Sequence, residues 1–366
     1  MKAYLCLADG KMFEGKSVGL AGETVGEVVF NTSMTGYQEI LTDPSYAGQI
    51  ITLTYPLIGN YGVNKTDAES SAIHAKGLVV KEFCEQPSNF RSEQNLHEYL
   101  ISQGIVGIKD VDTRALTKHL RKSGTMMGLI SIETDADKLA AKAKELGTST
   151  GPHLVKSVTT PKAYTLGTGR FPVVVMDFGA KGNIPASLAA LGCRVNVVSA
   201  TAQAREILDH QPLGVVLSNG PGDPQDVGYV LPVINELLEA GVPVMGICLG
   251  HQLLGMAIGG TTYKLKFGHR GGNHPVLDLQ NNRVHITSQN HGYALAEDSF
   301  SKDEVEVTHI NLHDRTNEGI KLKKKRAFSV QFHPEACPGP QDTFYLFAQF
   351  MAMVKEYGST GGGSHA

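Results

Sequence analysis

Long apolar runs are missing from this sequence of 366 residues, and so is a large excess of either charge. No window approaches the roughly 18 uninterrupted apolar residues of a membrane span, and the opening MKAYLCLADGKMFEGK contains no apolar stretch of the signal-peptide kind. The formal net charge of −3 gives no sign of a nucleic-acid binder. These absences argue against both a membrane and a nucleic-acid partner.

Paired cysteines and the common cofactor motifs are missing as well. The five cysteines are odd in number, scattered and free of any C-x-x-C pair, which argues against a disulfide framework and a structural zinc site. The same pattern predicts a protein of the reducing cytoplasm. Neither a dinucleotide fingerprint nor an H-E-x-x-H helix occurs. We therefore expect no metal and no cofactor in this chain.

One phosphate-loop match needs a structural context that the sequence does not provide. Residues 10–17 fit G-x4-G-K-S, a motif that works only after a strand and before a helix. Here Asp9-Gly10 is typical of a turn, and further glycines follow in place of a helix. The segment is predicted to be a β-hairpin, and the chain to lack an ATP site.

The two halves of the chain differ in pattern, and the length alone favours two domains. The first half mixes strand-like runs, such as Gly26–Asn31 and Gln49–Thr54, with helices predicted in DTRALTKHLRKSG and TDADKLAAKAKELG. The predicted organisation is a smaller mixed α/β domain over 1–150, a linker over 151–172, a second domain over 173–357 and a flexible tail over 358–366.

From Val173 onward, apolar strand-like runs alternate with helix-like segments. This alternation indicates βαβ units, hence an α/β domain with a doubly wound, mostly parallel sheet covered by helices on both faces. Ligands of such sheets bind at the carboxyl ends of the strands. Cys248 closes the strand PVMGIC and is placed at that edge, as is the loop SNGPGDP.

Cys248 lies in G-x-C-x-G, the cysteine form of the strand–turn–helix nucleophile elbow. The sharp turn requires small residues at Gly246 and Gly250. The helix N-terminus favours thiolate over thiol, and the N–H of Leu249 is suited to an oxyanion. We expect Cys248 to be exposed at the mouth of a cleft.

A thiolate nucleophile needs a base and a group that orients the base. Of fourteen histidines, His333 stands out because the strand AFSVQFHPEA ends in His-Pro-Glu. Residues two apart in extended chain share a side, so Glu335 can hold the ring of His333. The chain between Cys248 and His333 suffices for two or three strands. His251 is interpreted as a packing residue, and His291 as a possible substrate contact in a polar turn.

Together, GICLGHQLLG, SNGPGDP and QFHPEA resemble class I glutamine amidotransferases. Longer stretches, including NTSMTGYQEILTDPSYAGQIITLTYPLIGNYGVN, MDFGAKGNI and KFGHRGGNHPV, resemble the small, glutaminase subunit of carbamoyl-phosphate synthetase. The resemblance extends to about Tyr357. It implies a flavodoxin-like amidotransferase domain in the second half of the chain.

The resemblance also implies a reaction. Cys248 would attack glutamine to form a γ-glutamyl thioester, His333 would carry the proton to ammonia, and Glu335 would orient His333. Family matching places the glutamine contacts at Ser45, Gly220, Gly222, Leu249, Gln252, Asn290, Gly292 and Tyr293. The N–H groups of Leu249 and Gly220 would stabilise the oxyanion.

A partner is implied as well. A large synthetase subunit, carrying ATP with Mg²⁺ or K⁺, would use the ammonia and bicarbonate to make carbamoyl phosphate for arginine and pyrimidine biosynthesis. The assembly would be a heterodimer or an oligomer of heterodimers. The resemblance implies that the first domain provides the partner interface and, through Ser45, part of the glutamine cleft.

Three alternatives stay open. A stand-alone γ-glutamyl hydrolase or thioesterase would gain no glutaminase activity from a partner. A non-enzymatic scaffold would keep its effect on a partner after Cys248→Ser. An amidotransferase for another synthetase would co-purify with that enzyme.

Overall fold

The computed structural model describes residues 1–147, 151 and 153–360, which form two compact units. The first unit contains 1–154 together with 266–270, and the second contains 155–265 and the chain from 271 onward. Among the described helices, none is long and apolar enough to cross a membrane.

The first unit is built on a closed β-barrel. Its strands are β1 (Lys2–Leu7), β2 (Met12–Gly19), β3 (Glu23–Asn31), β4 (Gln49–Leu53), β5 (Leu57–Ile58), β6 (Gly77–Val79), β7 (Glu82–Phe83), β8 (Val106–Lys109) and β9 (Met126–Ser131). The barrel order is β1-β2-β8-β6-β4-β3-β9, and β5 pairs separately with β7. Antiparallel pairing of β1 with β2 confirms the hairpin predicted for residues 10–17.

Helices of the first unit follow their capping signals. They are α1 (Tyr37–Thr42), α2 (Leu96–Ser102), α3 (Thr113–Ser123) and α4 (Ala136–Lys144). At the start of α3 the Asp112 side chain accepts a hydrogen bond from the Ala115 N–H at 2.8 Å, and Gly124 ends the helix with φ 96°. Asp135 caps α4 in the same way. Both helices predicted in this half are confirmed.

The second unit alternates strands and helices before a run of strands. Its helices are α5 (Leu154–Val158), α6 (Asn183–Ala190), α7 (Ala204–Asp209), α8 (Leu231–Glu239), α9 (Leu249–Ala257) and α10 (Tyr345–Ser359). Its strands are β10 (Tyr164–Leu166), β11 (Phe171–Asp177), β12 (Cys193–Ser199), β13 (Gly214–Leu217), β14 (Val244–Ile247), β15 (Thr262–Asp278), β16 (Arg283–Leu295), β17 (Val305–Asn311), β18 (Asn317–Leu322) and β19 (Ala327–Val330).

These ten strands form one sheet, in the order β10-β12-β11-β13-β14-β19-β18-β17-β15-β16. The five strands from β12 to β19 are parallel, as the alternating pattern predicts. Strand β10 is antiparallel to β12, and β18, β17 and β15 continue the sheet in antiparallel pairs. The parallel strands bring the ends of β13, β14 and β19 to one edge.

Strand β11 shows how the sheet is covered on both faces. Val174 and Met176 pack into one hydrophobic cluster with α7, α8 and α9, whereas Val173 and Val175 pack into another with α6 and α10. Because successive side chains of a strand point to opposite faces, a continuous apolar run supplies both clusters. Each fully buried valine stabilises the fold by about 1.5–3 kcal/mol.

Two segments are more ordered than the sequence predicts. Helix α5 and strand β10 lie within the predicted linker, and β10 extends the sheet by pairing with β12. Helix α10 continues through Gly358 and Ser359, the first residues of the predicted tail. Residues 148–150, 152 and 361–366 lie outside the described residues. The domain boundaries themselves remain predictions.

Candidate active site

Cys248 occupies a sharp turn between β14 and α9. Its backbone is held at φ 53° and ψ −103°, an uncommon conformation for a residue with a side chain. The Cys248 N–H donates to the carbonyl of Val330, the last residue of β19, at 2.9 Å. The predicted nucleophile elbow is therefore formed locally, with the cysteine immediately before the first turn of α9.

The two glycines beside Cys248 are required by close backbone contacts. A Cβ atom on Gly250 would lie 2.1 Å from the carbonyl oxygen of Leu217, and one on Gly246 would lie 2.6 Å from the carbonyl oxygen of Gly250. Both distances are far below van der Waals contact. The glycines thus allow α9 to begin against the end of β13.

We expect Gly250→Ala to lower the free energy of unfolding by about 1–3 kcal/mol, because the added methyl overpacks a rigid backbone contact. Urea denaturation would measure the change. Gly228→Ala is the matched control, since no atom lies within 4 Å of its Cβ position. Equal stability of the two variants would contradict the steric explanation.

His333 and Glu335 form the hydrogen-bonded pair that the sequence predicts. His333 Nδ1 lies 2.6 Å from Glu335 Oε1, and both side chains are buried. The His333 N–H donates to the carbonyl of Ser288 in β16 at 2.9 Å. Two contacts, one through the ring and one through the backbone, fix the orientation of the imidazole.

Charges within this pair outweigh the cost of burial. Burial is the largest influence on the pKa of His333 and lowers it, yet the Glu335 carboxylate and the nearby Cys248 sulfur raise that pKa to about 10. Burial likewise favours a neutral Glu335, but the positive charges of Lys181 and His333 lower its pKa to about 2. At neutral pH the pair therefore holds a carboxylate and a protonated ring.

Lys181 is the residue of this cluster that the sequence analysis missed. Its Nζ lies 3.1 Å from Glu335 Oε1 and donates to the carbonyl of Ala336, and the side chain is buried. Lys181 follows β11 at the carboxyl edge of the sheet. Ligands of parallel sheets bind at the carboxyl ends of the strands. This rule, which placed Cys248 at that edge, could have placed Lys181 there as well.

The Cys248 thiol is buried, which corrects the expectation that it would be exposed at the mouth of a cleft. The side chain is 2% exposed, because the Asn290 segment of β16 lies against it, and Sγ donates to the Asn290 carbonyl at 3.5 Å. Among the described residues, His333 Nε2 forms no hydrogen bond. The thiol nevertheless lies close enough to contribute to the raised pKa of His333.

Backbone N–H groups with oxyanion-binding potential lie at the start of α9 and after β13. Leu249 is the first residue of α9, so its N–H has no intrahelical acceptor. Gly220 and Gly222 follow β13, and a Cβ on Gly220 would lie 2.3 Å from the Phe178 carbonyl. Gly222 has φ 93°, a conformation that favours glycine.

The remaining predicted glutamine contacts lie on several elements. Gln252 of α9 donates to the Tyr293 carbonyl at 2.9 Å and to Gln331 at 3.0 Å. Gly292 and Tyr293 belong to β16, next to Asn290. Ser45 lies in a short 3-10 turn of the first unit, where its N–H donates to Asp43.

Two histidines contrast with the triad. His251 is fully buried, shares a hydrogen bond of 2.8 Å between Nδ1 and Ser329 Oγ, and has a pKa lowered to about 3 by burial, with His309 adding to the effect. This confirms its packing role. His291 lies in strand β16 and not in a polar turn, and its ring contacts the Tyr293 carbonyl and Gln289.

The number of strands between Cys248 and His333 is larger than expected. Four strands, β15 to β18, separate the elbow from β19, whereas two or three were predicted. The outcome at the site is unchanged, because β19 still returns beside β14 in parallel. A sulfur nucleophile, a basic ring and an orienting carboxylate are together suited to covalent acyl transfer.

Comparisons with known proteins identify the class and then the family. Residues 174–353 match the family model of class-I glutamine amidotransferases, so the second unit belongs to this class of protein. Residues 5–130 match the model described as carbamoyl-phosphate synthase small chain, CPSase domain.

Curated relatives match over the full chain. The carbamoyl phosphate synthase small chain of Syntrophotalea carbinolica is 52% identical over 97% of this chain and 98% of that protein. The small chain of Clostridium perfringens is 51% identical, covering 96% and 99%, and that of Bacillus caldolyticus is 49% identical over the whole of both. The chain belongs to the family of carbamoyl-phosphate synthase small chains, the glutaminase subunits that supply ammonia to a large subunit. This confirms the resemblance noted in the sequence.

Proposed function

We propose that Cys248, His333 and Glu335 are the catalytic triad that releases ammonia from glutamine. His333 holds the proton given up by Cys248, and the Cys248 thiolate attacks the side-chain carboxamide carbon of glutamine. His333 then gives this proton to the leaving nitrogen, the C–N bond breaks, and ammonia departs from a γ-glutamyl thioester. His333 then takes a proton from water, the hydroxide attacks the thioester carbon, the C–S bond breaks and glutamate leaves, which regenerates the Cys248 thiolate and the protonated ring.

The observation that carries this proposal is the buried hydrogen bond between His333 and Glu335 after β19, with the Cys248 sulfur near enough to raise the pKa of His333. The raised pKa of His333 keeps a proton on its ring for the leaving nitrogen, and the lowered pKa of Glu335 keeps the orienting carboxylate ionised. Preorganised N–H groups of Leu249 and Gly220 would stabilise the negative oxygen of the tetrahedral intermediate.

Substrate contacts belong to the same proposal. Glutamine would be held by Ser45, Gly220, Gly222, Leu249, Gln252, Asn290, Gly292 and Tyr293. Gln252 and Asn290 are supported by their place beside Cys248, on α9 and on β16. We further propose that the second unit has the flavodoxin-like amidotransferase fold, as its five parallel strands suggest.

The ammonia would pass to a large synthetase subunit in a heterodimer or an oligomer of heterodimers. That subunit would use bicarbonate, ATP and Mg²⁺ or K⁺ to make carbamoyl phosphate for arginine and pyrimidine synthesis. A cytoplasmic location is supported by the five cysteines, all of which are free.

Mass spectrometry of the complex during turnover tests the covalent step. After acid quenching with glutamine present, we expect the peptide that contains Cys248 to gain the mass of one glutamyl group. Cys193, buried against Met351 in the same unit, serves as the internal control. A glutamyl group on a different cysteine, or on none under conditions of steady turnover, would contradict the assignment.

A further inference from the structure

Gln331 is a buried polar residue that the proposed mechanism does not use. It directly follows β19, is fully buried, and donates its backbone N–H to the Glu318 carbonyl at 2.9 Å. Its side-chain Oε1 accepts a hydrogen bond of 3.0 Å from Gln252 Nε2. Among the described residues, none forms a hydrogen bond with its Nε2, although this atom is buried as well. Gln331 therefore uses its acceptor and leaves its donor unpaired.

The unpaired donor indicates that this glutamine is not present for stability alone. A buried polar group without a partner is destabilising, and an unbranched apolar side chain of similar length would avoid that penalty. Native proteins depart from such rules mainly at functional sites. The useful atom of Gln331 is therefore its Oε1, whose partner Gln252 is a predicted glutamine contact.

The contact with Gln331 fixes the orientation of the Gln252 amide. The Tyr293 backbone carbonyl can only accept, so the Gln252 atom that lies 2.9 Å from it is the amide nitrogen. The same nitrogen donates to Gln331, so both of its hydrogens are used. Rotation of the amide by half a turn would break both hydrogen bonds. The oxygen of Gln252, which takes part in neither bond, is thereby left as the atom that a ligand can use.

The length of glutamine matches this oxygen to the α-ammonium group of the substrate. The Gln252 N–H donates to the Cys248 carbonyl at 3.2 Å, so the two residues are one helical turn apart, a rise of about 5.4 Å. In extended glutamine the α-nitrogen lies about 5 Å from the carboxamide carbon that Cys248 attacks. An amide oxygen only accepts and an ammonium group only donates, so the two groups are complementary.

We propose that Gln331 is a positioning residue for glutamine recognition, which holds the Gln252 amide so that its oxygen accepts from the α-ammonium group. The inference rests on the proposed function, because it takes Gln252 as a glutamine contact. It adds a residue that touches no atom of the substrate, and it names the one substrate group on which the effect of that residue depends.

Replacement of Gln331 by methionine, assayed in the complex with the large subunit, tests this role. Methionine keeps the length of the side chain and removes the amide acceptor. We expect the KM for glutamine to rise about tenfold or more, because a hydrogen bond to a charged group is weakened. The kcat with glutamine should change less than about twofold, as should the rate with ammonia. Gln349→Met, which changes a half-buried glutamine of α10, is the matched control and should leave the KM unchanged.

An analogue distinguishes positioning from a general effect on the site. Glutaramate is glutamine without its α-ammonium group, and its inhibition constant would be measured against glutamine-dependent synthesis. We expect this constant to change less than about twofold in Gln331→Met, because the analogue has no donor for the Gln252 oxygen. If glutaramate binding weakens as much as glutamine binding, Gln331 supports the site as a whole and the proposal is overturned.

Thermal unfolding provides the stability control. The melting temperature of Gln331→Met should not fall, because the substitution removes an unpaired buried donor. Gln331→Leu removes the same acceptor with a side chain of different shape and should give the same rise in KM. A rise with methionine that is absent with leucine would also overturn the proposal, since the loss of the acceptor is common to both.

The remaining outcomes separate this inference from the proposed function. If Gln331→Met keeps the wild-type KM while Cys248→Ser loses the use of glutamine, the positioning role is wrong and the proposed function stands. If both variants use glutamine as the wild-type chain does, both fail.

Discussion

Replacement of Cys248 by serine is expected to abolish glutamine-dependent synthesis of carbamoyl phosphate while ammonia-dependent synthesis continues. A serine hydroxyl is a far weaker nucleophile than a thiolate and gives up its proton much less readily. We expect the turnover number with glutamine to fall by about 10³-fold or more. The assay compares glutamine with ammonia as nitrogen source, using the purified complex with ATP and bicarbonate.

The two nitrogen sources make the interpretation unambiguous. Ammonia bypasses the amide cleavage, so its use reports only on the large subunit and on assembly. Cys84→Ser is the control, because Cys84 is half-buried in the first unit and its thiol donates to the Gln86 carbonyl at 3.2 Å. Loss of both activities in Cys248→Ser would show that the substitution acts on assembly, and glutamine use at the wild-type rate would remove Cys248 from the mechanism.

The features predicted well are those whose physical cause is local. The turn at Cys248 needs glycines two residues away on either side, and those glycines are visible in the sequence. The pairing of His333 with Glu335 depends on only three consecutive residues. The α3 helix is bounded by Asp112 and Gly124, whose side-chain and backbone properties set its ends. Such causes can be recognised without knowing the rest of the fold.

The features that were missed depend on contacts between distant segments. The barrel closes because β1 pairs with β9, more than a hundred residues later, and no local pattern encodes that register. Burial of the Cys248 thiol depends on β16, which was interpreted partly as a polar turn around His291. The polar side chains of Gln289 and His291 in this strand form buried hydrogen bonds, so their polarity does not indicate a turn at the surface.

Lys181 was missed for the same reason, because its role depends on contacts between distant segments. A lysine after a strand is ordinarily a solvated residue, and nothing adjacent in sequence marks it as a partner of Glu335. Only the parallel pairing of β11 with β13, and of β13 with β14 and β19, brings the two together. Its charge is one reason that the pKa of Glu335 is lowered despite complete burial.

Replacement of Glu335 by glutamine is expected to be the second most damaging change. The amide keeps the shape and can still accept from His333 Nδ1, but it removes the negative charge. Burial then dominates, so the pKa of His333 falls and the ring becomes a weaker base. By analogy with the loss of the orienting carboxylate in serine hydrolases, glutamine turnover should fall by about 10²–10⁴-fold.

The pH profile distinguishes this electrostatic role from a merely structural one. In the wild-type chain the raised pKa keeps His333 able to hold a proton well above neutrality, so activity with glutamine persists as pH rises towards about 10. In Glu335→Gln the alkaline limb should move to lower pH. Glu304→Gln, which changes an exposed carboxylate of the same unit, should leave the profile unchanged. A uniform loss of activity with no shift of that limb would contradict the argument.

Glu335→Gln is expected to lower stability as well as activity, because it leaves Lys181 as a buried cation without its carboxylate. The two effects must therefore be measured separately. Breaking a buried ion pair on one side costs about 3–5 kcal/mol. The double variant Lys181→Met/Glu335→Gln removes both charges and should recover most of that loss in urea denaturation. It should not recover glutamine turnover, since His333 still lacks the carboxylate that raises its pKa. If the double variant restored activity together with stability, the carboxylate would matter for folding and not for proton transfer.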